Sequence, residues 1–159
     1  MTTESGTDSG NVEVIERFYG AFGRGDADTM ATCYHRDAHF SDPVFTDLNG
    51  PEVMKMWRVL LTRSDDLQIE LGEHAAAGDS GSAHWTARYT FSRTGRKVVN
   101  EIDASFTFRD GLIIEHNDIF DFWKWSRMAL GTTGLFLGWS PVVKKKVRAQ
   151  SAELLSSAE

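Results

Sequence analysis

The stretch DGLIIEHNDIFD, residues 110–121, decides the fold. Asp110-Gly111 is typical of a tight hairpin turn, and the residues after it alternate in polarity as a half-buried strand does. One predicted face carries Leu112, Ile114, His116, Asp118, Phe120 and Phe122. That face is the more apolar of the two, although it holds His116 and Asp118. A carboxylate in an apolar row departs from the pattern that folding favours, so it marks a candidate functional site.

Three further strands are predicted before this one. Apolar and polar residues alternate over 67–71, 85–91 and 98–108. Gly78–Gly81 and Thr94-Gly95 mark the turns between them. Period-two strands joined by short turns predict an antiparallel meander with one apolar face.

Helical periodicity precedes the meander. It predicts a first helix from Asn11 to Phe22, a second capped by Asp26, and a third from Pro51 to Leu61. A short strand, His39–Pro43, lies between the second and third helices. These elements predict an α+β fold, a cone-shaped α+β roll in which three N-terminal helices pack on a curved, mostly antiparallel sheet.

The two ends of the chain differ from this central part. We expect residues 1–10 to form a flexible tail, residues 11–123 the domain, and residues 124–159 an extra C-terminal helical tail. The first part of this tail and the residue before it are strongly apolar, with Trp123, Trp125, Phe136 and Trp139. Such a surface would not stay exposed, so it either closes the cone as a lid or packs between subunits.

Composition excludes several function classes. The 159 residues suit one domain, and a net charge of −6 argues against a nucleic-acid partner. Cys33 alone cannot form an internal disulfide, and the chain has neither a secretory signal nor an apolar stretch that would span a membrane. We therefore expect a cytoplasmic protein with no membrane partner. The five histidines lack metal-ligand spacing and no phosphate-binding loop occurs, so neither a metal nor a cofactor is expected.

The order helix–helix–strand–helix–four strands resembles the nuclear-transport-factor-2-like superfamily. The resemblance is carried by Gly25-Asp26 between the helices, by Tyr34–Ala38 leading into Phe40–Pro43, and by residues 110–121. Within the superfamily the chain is most similar to the SnoaL-like, ketosteroid-isomerase-like branch, over residues 11–123. The resemblance implies a homodimer.

Ketosteroid isomerases supply one comparison of site positions. Their general base is the aspartate of an Asp-Pro pair after the first strand, and Asp42-Pro43 matches it. The positions of their oxyanion donors, a tyrosine and a protonated aspartate, fall on Phe18 and Ala104. The resemblance therefore implies a base at Asp42 without those two donors.

Limonene epoxide hydrolases supply a second comparison. Their last-strand catalytic aspartate falls on Asp118. Their water-holding tyrosine and asparagine fall on Phe40 and Asp42, and their arginine and second aspartate on Trp85 and Ala87. Epoxide hydrolysis by this chain would therefore use altered machinery.

The residues themselves point to proton transfer. A carboxylate in an apolar cone is desolvated, which raises its pKa, and a second carboxylate nearby raises it further. One of Asp42 and Asp118 can then act as the base while the other, protonated, donates a hydrogen bond to a developing oxyanion. His116 could relay the proton or orient a water. The proposed wall for a small apolar ligand consists of Phe40, Trp57, Trp85, Tyr89, Asn100 and Phe120.

Structural interpretations of the same residues stay open. Asp42 before a proline can cap a turn, and Asp118 can be a buried structural acid bonded to tryptophan or backbone donors. If the two carboxylates instead transfer protons, the sequence predicts an isomerase, cyclase or hydratase acting on an apolar carbonyl or polycyclic compound. The alternative is a ligand-binding or assembly module of the same fold.

Overall fold

A computed structural model describes residues 2–137 and 141–157. The elements follow in the order α1 (Thr2–Gly23), α2 (Ala27–Cys33), β1 (Tyr34–Ser41), β2 (Leu48–Asn49), α3 (Pro51–Arg63), β3 (Gln68–Ala77), β4 (Ser80–Phe91), β5 (Arg96–Arg109), β6 (Leu112–Ile119), α4 (Phe122–Leu130), α5 (Thr132–Leu137) and α6 (Pro141–Ser157). The strands form one curved six-stranded sheet in the order β2-β1-β6-β5-β4-β3. Only β1 and β6 are parallel among these neighbours, so the predicted α+β architecture is confirmed.

The β5–β6 hairpin is built as its sequence predicts. Asp110 and Gly111 have φ angles of +55° and +76°, which is the left-handed pair that a two-residue hairpin turn requires. Residues of β5 alternate strictly between the buried inner face and the exposed outer face. The inner face of β5 consists of Val98, Asn100, Ile102, Ala104, Phe106 and Phe108.

A β-bulge in β6 corrects the predicted parity of the first residues of that strand. Thr107 pairs with Glu115, but Phe108 pairs with Ile113, so β6 carries one extra residue at Ile114. Ile113 is therefore fully buried on the face of His116 and Asp118. The prediction that Leu112 and Ile114 share this face is wrong, because the alternation of a strand changes phase at a bulge.

The first helix begins at Thr2 and not at Asn11. Asn11 is buried inside the helix, and its side-chain amide donates to the carbonyl of Gly78, 3.1 Å away. The Asp8 carboxylate accepts from the Gly78 N–H at 2.7 Å. These contacts with the β3–β4 turn lie on the helical residues Asp8 and Asn11, so the helix does not start at Asn11.

The other N-terminal elements agree with the predictions from the sequence, except that β1 starts earlier than predicted. Asp26 caps α2 by accepting from the Thr29 N–H, and α3 starts at Pro51. Strand β1 begins at Tyr34, five residues before His39, because Tyr34 already pairs with Ile113 of β6. It ends at Ser41, so Asp42 and Pro43 follow the strand and do not belong to it.

The C-terminal helices fold back onto the domain. Thr94 Oγ1 donates to the Ala129 carbonyl at 2.6 Å, and Arg96 Nε donates to the Met128 carbonyl at 2.9 Å, so α4 is held against the β4–β5 turn. Leu155 of α6 is buried in the main core, and Arg148 Nε donates to the Pro43 carbonyl at 2.8 Å. The side chains of Leu135, Phe136 and Leu137, and the residues Trp139 and Ser140, lie outside the described part. None of the described helices is both long and apolar enough to cross a membrane.

Gly81 tests the packing of α1 on the sheet. A Cβ there would lie 2.7 Å from Cε2 of Phe108 and 3.2 Å from Cδ1 of Ile15. We expect Gly81→Ala to lower the free energy of unfolding by about 1–3 kcal/mol in urea denaturation, because a packed core does not accommodate the extra methyl group. Gly10→Ala is the control. Its Cβ meets nothing within 4 Å, and it should raise stability by about 0.5–1 kcal/mol since residue 10 is helical. Equal effects of the two substitutions would contradict this packing.

Candidate active site

A buried chain of polar side chains crosses the inner face of the sheet. Trp57 Nε1 donates to Tyr34 Oη at 3.0 Å, and Tyr34 Oη lies 2.7 Å from His116 Nδ1. The other ring nitrogen of His116, Nε2, lies 2.9 Å from Asp118 Oδ1. Trp85 Nε1 donates to that same oxygen at 3.5 Å. His116 is 0% exposed and Asp118 is 4% exposed, so the network excludes bulk water.

One arrangement of protons satisfies every hydrogen bond in this chain. The Tyr34 hydroxyl accepts from Trp57 and donates to Nδ1 of His116, which leaves the proton of a neutral imidazole on Nε2. Nε2–H then donates to the Asp118 carboxylate. If both ring nitrogens carried protons, the Tyr34 hydroxyl hydrogen would lack an acceptor among the described residues. His116 therefore presents a fixed donor to Asp118.

Aromatic rings hold His116 in place. Phe40 and Phe106 have ring centroids 4.9 Å and 4.6 Å from that of the imidazole, and Phe18 packs edge-on at 5.8 Å. These residues come from β1, β5 and α1, so the orientation of His116 depends on the tertiary fold. A buried polar side chain in such a setting must keep its hydrogen bonds, because an unmade one costs about 1–3 kcal/mol.

Asp42 lies just beyond the end of β1 and combines two of the predicted roles. Its Oδ1 accepts from the backbone N–H of Val44 at 2.7 Å and of Phe45 at 2.5 Å, so it caps the turn around Pro43. The same side chain also lines the central cavity. Burial, with a smaller contribution from the charge of Asp118, raises the pKa of the Asp42 carboxyl to about 7. The two carboxylates therefore sense each other electrostatically.

The cavity has a volume of about 280 Å³ and opens at the surface. Of the predicted wall, Trp57, Trp85, Tyr89, Asn100 and Phe120 line it together with Asp42 and Asp118. From α6, Val147, Gln150, Ser151 and Leu154 complete one side of it. Helix α6 thus forms one side of the cavity, whereas the lid was predicted from the apolar residues before this helix, of which Trp125 also lines the cavity.

Phe40 and His116 lie outside the cavity lining, unlike the other predicted site residues. Phe40 is 0% exposed and packs edge-on against Trp57 and His116, so it supports the site from beneath. His116 contacts two cavity-lining residues, since it hydrogen-bonds Asp118 and stacks on Trp57. Phe40 was predicted as a wall residue, and its place in the core is a correction to that prediction.

Sequence reasoning missed Tyr34 and Tyr19. Tyr34 has the same even-numbered parity as Ala38 and Phe40, which would have placed it on the inner face if the strand had been extended back to residue 34. The Tyr19 hydroxyl is buried without a hydrogen-bond partner among the described residues. Its pKa is raised well above the usual value by burial and, to a smaller extent, by the charge of Asp118. Tyr19 thus lies within electrostatic reach of the site.

The curved sheet and the helices on its concave face define a nuclear-transport-factor-2-like roll, and the cavity between them opens at the surface. The profile of the SnoaL-like domain family matches residues 15–116, and the chain belongs to that family. The match runs from the middle of α1 to His116 in β6. No curated protein matches the chain significantly.

Solved structures show the same fold at low sequence identity. TsrD from Streptomyces laurentii is 23% identical, with 77% of this chain and 96% of that one covered and a TM-score of 0.67. IdmH from Streptomyces antibioticus, provisionally described as a polyketide cyclase, is 23% identical, with 77% and 99% covered and a TM-score of 0.66. An epoxide hydrolase of the limonene-epoxide-hydrolase type from M. tuberculosis is 19% identical, with 86% and 96% covered and a TM-score of 0.66. Identities this low establish the fold alone.

Tyr34→Phe tests the buried polar chain. Loss of the hydroxyl leaves both the Trp57 N–H and His116 Nδ1 without a partner, so we expect the free energy of unfolding to fall by about 1–3 kcal/mol. Tyr89→Phe is the matched control, because it removes only the acceptor for Trp125 beside the cavity, where water can replace it. Urea denaturation of both variants measures the difference. Equal losses would argue against a special role for the Tyr34 hydroxyl.

Asp42→Asn tests the raised pKa of this carboxyl. The folded protein holds the Asp42 proton up to pH about 7, whereas the unfolded chain releases it near pH ~4. Asp42 therefore makes the wild-type protein lose stability as the pH rises from 4 to 7. Asp42→Asn keeps the Oδ1 acceptor but cannot ionise. Relative to wild type, the free energy of unfolding of Asp42→Asn should be greater at pH 8 than at pH 4 by about 2 kcal/mol. This is less than the whole pKa shift of Asp42 would give, because the side chain is only partly buried.

Urea denaturation at the two pH values measures this difference. Asp65→Asn, at an exposed position, is the control and should change stability equally at both. A pH-independent effect of Asp42→Asn would show that the carboxyl titrates normally.

Proposed function

We propose that the protein is a cofactor-free acid–base enzyme of the isomerase, cyclase or hydratase type, acting on an apolar carbonyl or polycyclic compound. One observation carries the proposal. Asp118 faces an apolar cavity, and the two donors that reach it within the described residues, His116 and Trp85, bind Oδ1. Oδ2 is therefore available to a ligand, while the carboxylate is fixed in orientation.

In the proposed reaction Asp118 is the base. Its Oδ2 takes a proton from the carbon next to a substrate carbonyl, and the electron pair of that C–H bond moves toward the carbonyl oxygen. The proton later returns to another carbon in an isomerisation, or the new carbanion attacks a second carbonyl in a cyclisation. His116 keeps Asp118 oriented by its Nε2–H and does not contact the substrate.

Asp42 supplies the acid. Since its pKa is about 7, a substantial fraction is protonated at neutral pH, and a neutral carboxyl can donate a hydrogen bond to the oxyanion. Its Oδ1 is occupied by two backbone N–H groups, so the donor would be the other oxygen. The two carboxyl groups thus differ in environment, because Asp42 accepts from backbone N–H groups and Asp118 from two buried side chains.

A ligand-binding module without catalysis is the second candidate. A specific observation favours it, because each carboxylate also has a structural explanation: Asp42 caps a turn and Asp118 satisfies two buried donors. Asp118 could alternatively activate a water for epoxide opening. Both enzymatic functions need the Asp118 charge for turnover, whereas the binding module has no turnover to lose.

Exchange of the α-protons of 2-tetralone in D₂O, followed by NMR, tests the proposal. This ketone is flat, apolar and acidic next to its carbonyl. We expect the wild-type protein to accelerate the exchange, and Asp118→Asn to reduce that acceleration by at least about 100-fold, as loss of a general base does. Limonene oxide hydrolysis, assayed in parallel, identifies epoxide opening.

The matched control is Asp103→Asn. Asp103 lies on the outer face of β5 and bonds His84, so its replacement should leave exchange unchanged. Urea denaturation and 2-tetralone binding show whether Asp118→Asn still folds and still binds. A folded, binding Asp118→Asn variant with wild-type exchange would establish the non-catalytic module instead.

A further inference from the structure

The charges around the cavity are arranged by depth. Its ionisable lining residues are Asp42, Asp118, Tyr89, Arg63 and Arg93 within the described ranges. Asp118 is buried and Asp42 is partly buried, whereas both arginines are exposed and therefore lie at the mouth. The interior is acidic and the opening basic, in a protein whose net charge is −6.

The two arginines come from segments that the fold brings together. Arg63 is the last residue of α3, and Arg93 lies in the turn between β4 and β5. Asp66 Oδ2 accepts from Thr90 Oγ1 at 2.6 Å, which ties the end of α3 to the end of β4. Both segments thus border the same side of the opening.

Neither guanidinium has a partner in the described part of the chain: Arg63 and Arg93 make no ion pair and no hydrogen bond there. Asp66 lies close to Arg63 in the sequence, but its carboxylate already accepts from Thr90 and forms an ion pair with Lys97. Asp65 does not line the cavity. The dipole of α3 stabilises a cation at Arg63, but Arg93 is not at a helix end. The guanidinium N–H groups of Arg63 and Arg93 at the mouth of the cavity are therefore available to a ligand.

We infer that Arg63 and Arg93 bind an anionic group, a carboxylate or a phosphate, at one end of an apolar substrate. Guanidinium groups suit both anions because their paired N–H donors match two oxygens at once. The inference rests on the proposed function in that the same cavity holds the ligand.

The arrangement also fixes the direction of binding. An anionic end would be repelled by the Asp118 carboxylate in the interior and attracted by the two arginines, so it stays at the mouth. The neutral end of the molecule, including a reacting carbonyl, then reaches Asp118. Substrates of this class are amphipathic: an apolar ring system with a single negative group.

Calorimetric binding of three matched probes tests the inference: 2-naphthoate, 2-naphthyl phosphate and the neutral 2-naphthamide. We expect wild-type protein to bind at least one anion about five- to tenfold more tightly than the amide, the range that two exposed charge pairs provide. Arg63→Gln combined with Arg93→Gln should abolish that preference and leave amide binding unchanged. The two anions separate a carboxylate from a phosphate site.

The control combines Arg36→Gln with Arg109→Gln, which changes the net charge equally at exposed positions outside the cavity lining. It should keep the preference. An amide that binds wild-type protein as tightly as both anions would overturn the inference while leaving the proposed catalysis intact. Equal weakening of all probes in the Arg63, Arg93 double variant would also overturn it. If none of the three probes binds, the cavity does not take an apolar ligand of this kind, and the proposed function is contradicted as well.

Discussion

The hydrogen bond between His116 and Asp118 is the constraint on which the site depends. A carboxylate with 4% exposure among aromatic rings is costly unless donors satisfy it. Nε2 of His116 supplies the nearer donor, and the Tyr34 hydroxyl fixes the tautomer that makes it a donor. Trp57 and Trp85 close the two ends of the chain, so α3, β1, β6 and β4 are joined through four hydrogen bonds. A network of this kind is stable only when complete, which links the fold to the geometry of the base.

Much of the fold follows from local chemistry that the sequence displays. Asp110-Gly111 has the conformational freedom that its turn needs, Asp26 is a good N-cap, and Pro51 suits the first turn of α3. The alternation of β5 was predictable because its outer face is polar except at Val99. The elements that sequence reasoning placed wrongly depend on distant partners. Asn11 is drawn into α1 by the Gly78 carbonyl, and the bulge at Ile114 arises from pairing with Phe108.

The candidate site was predictable to a similar degree. The unusual acid in an apolar row identified Asp118, and the Asp-Pro pair identified Asp42; both line the cavity. The supporting residues were harder to identify, since the partner of a buried histidine lies elsewhere in the chain. Tyr34 is 82 residues from His116, and no periodicity links the two. Phe40 shares the face of the site but lies beneath His116, because parity assigns a face and gives no depth.

The C-terminal helix belongs to the site as much as the sheet does. Burial is the main cause of the raised pKa of Asp42, and α6 contributes part of the wall that buries it. Arg148 of α6 binds the Pro43 carbonyl, one residue beyond Asp42, and its positive charge opposes part of the rise in pKa. If α6 left the mouth, water would reach Asp42 and return its pKa toward the ordinary value of about 4. The raised pKa of Asp42 therefore depends on α6 lying against the cavity, so the position of this C-terminal helix affects the acid–base state of a residue that follows β1.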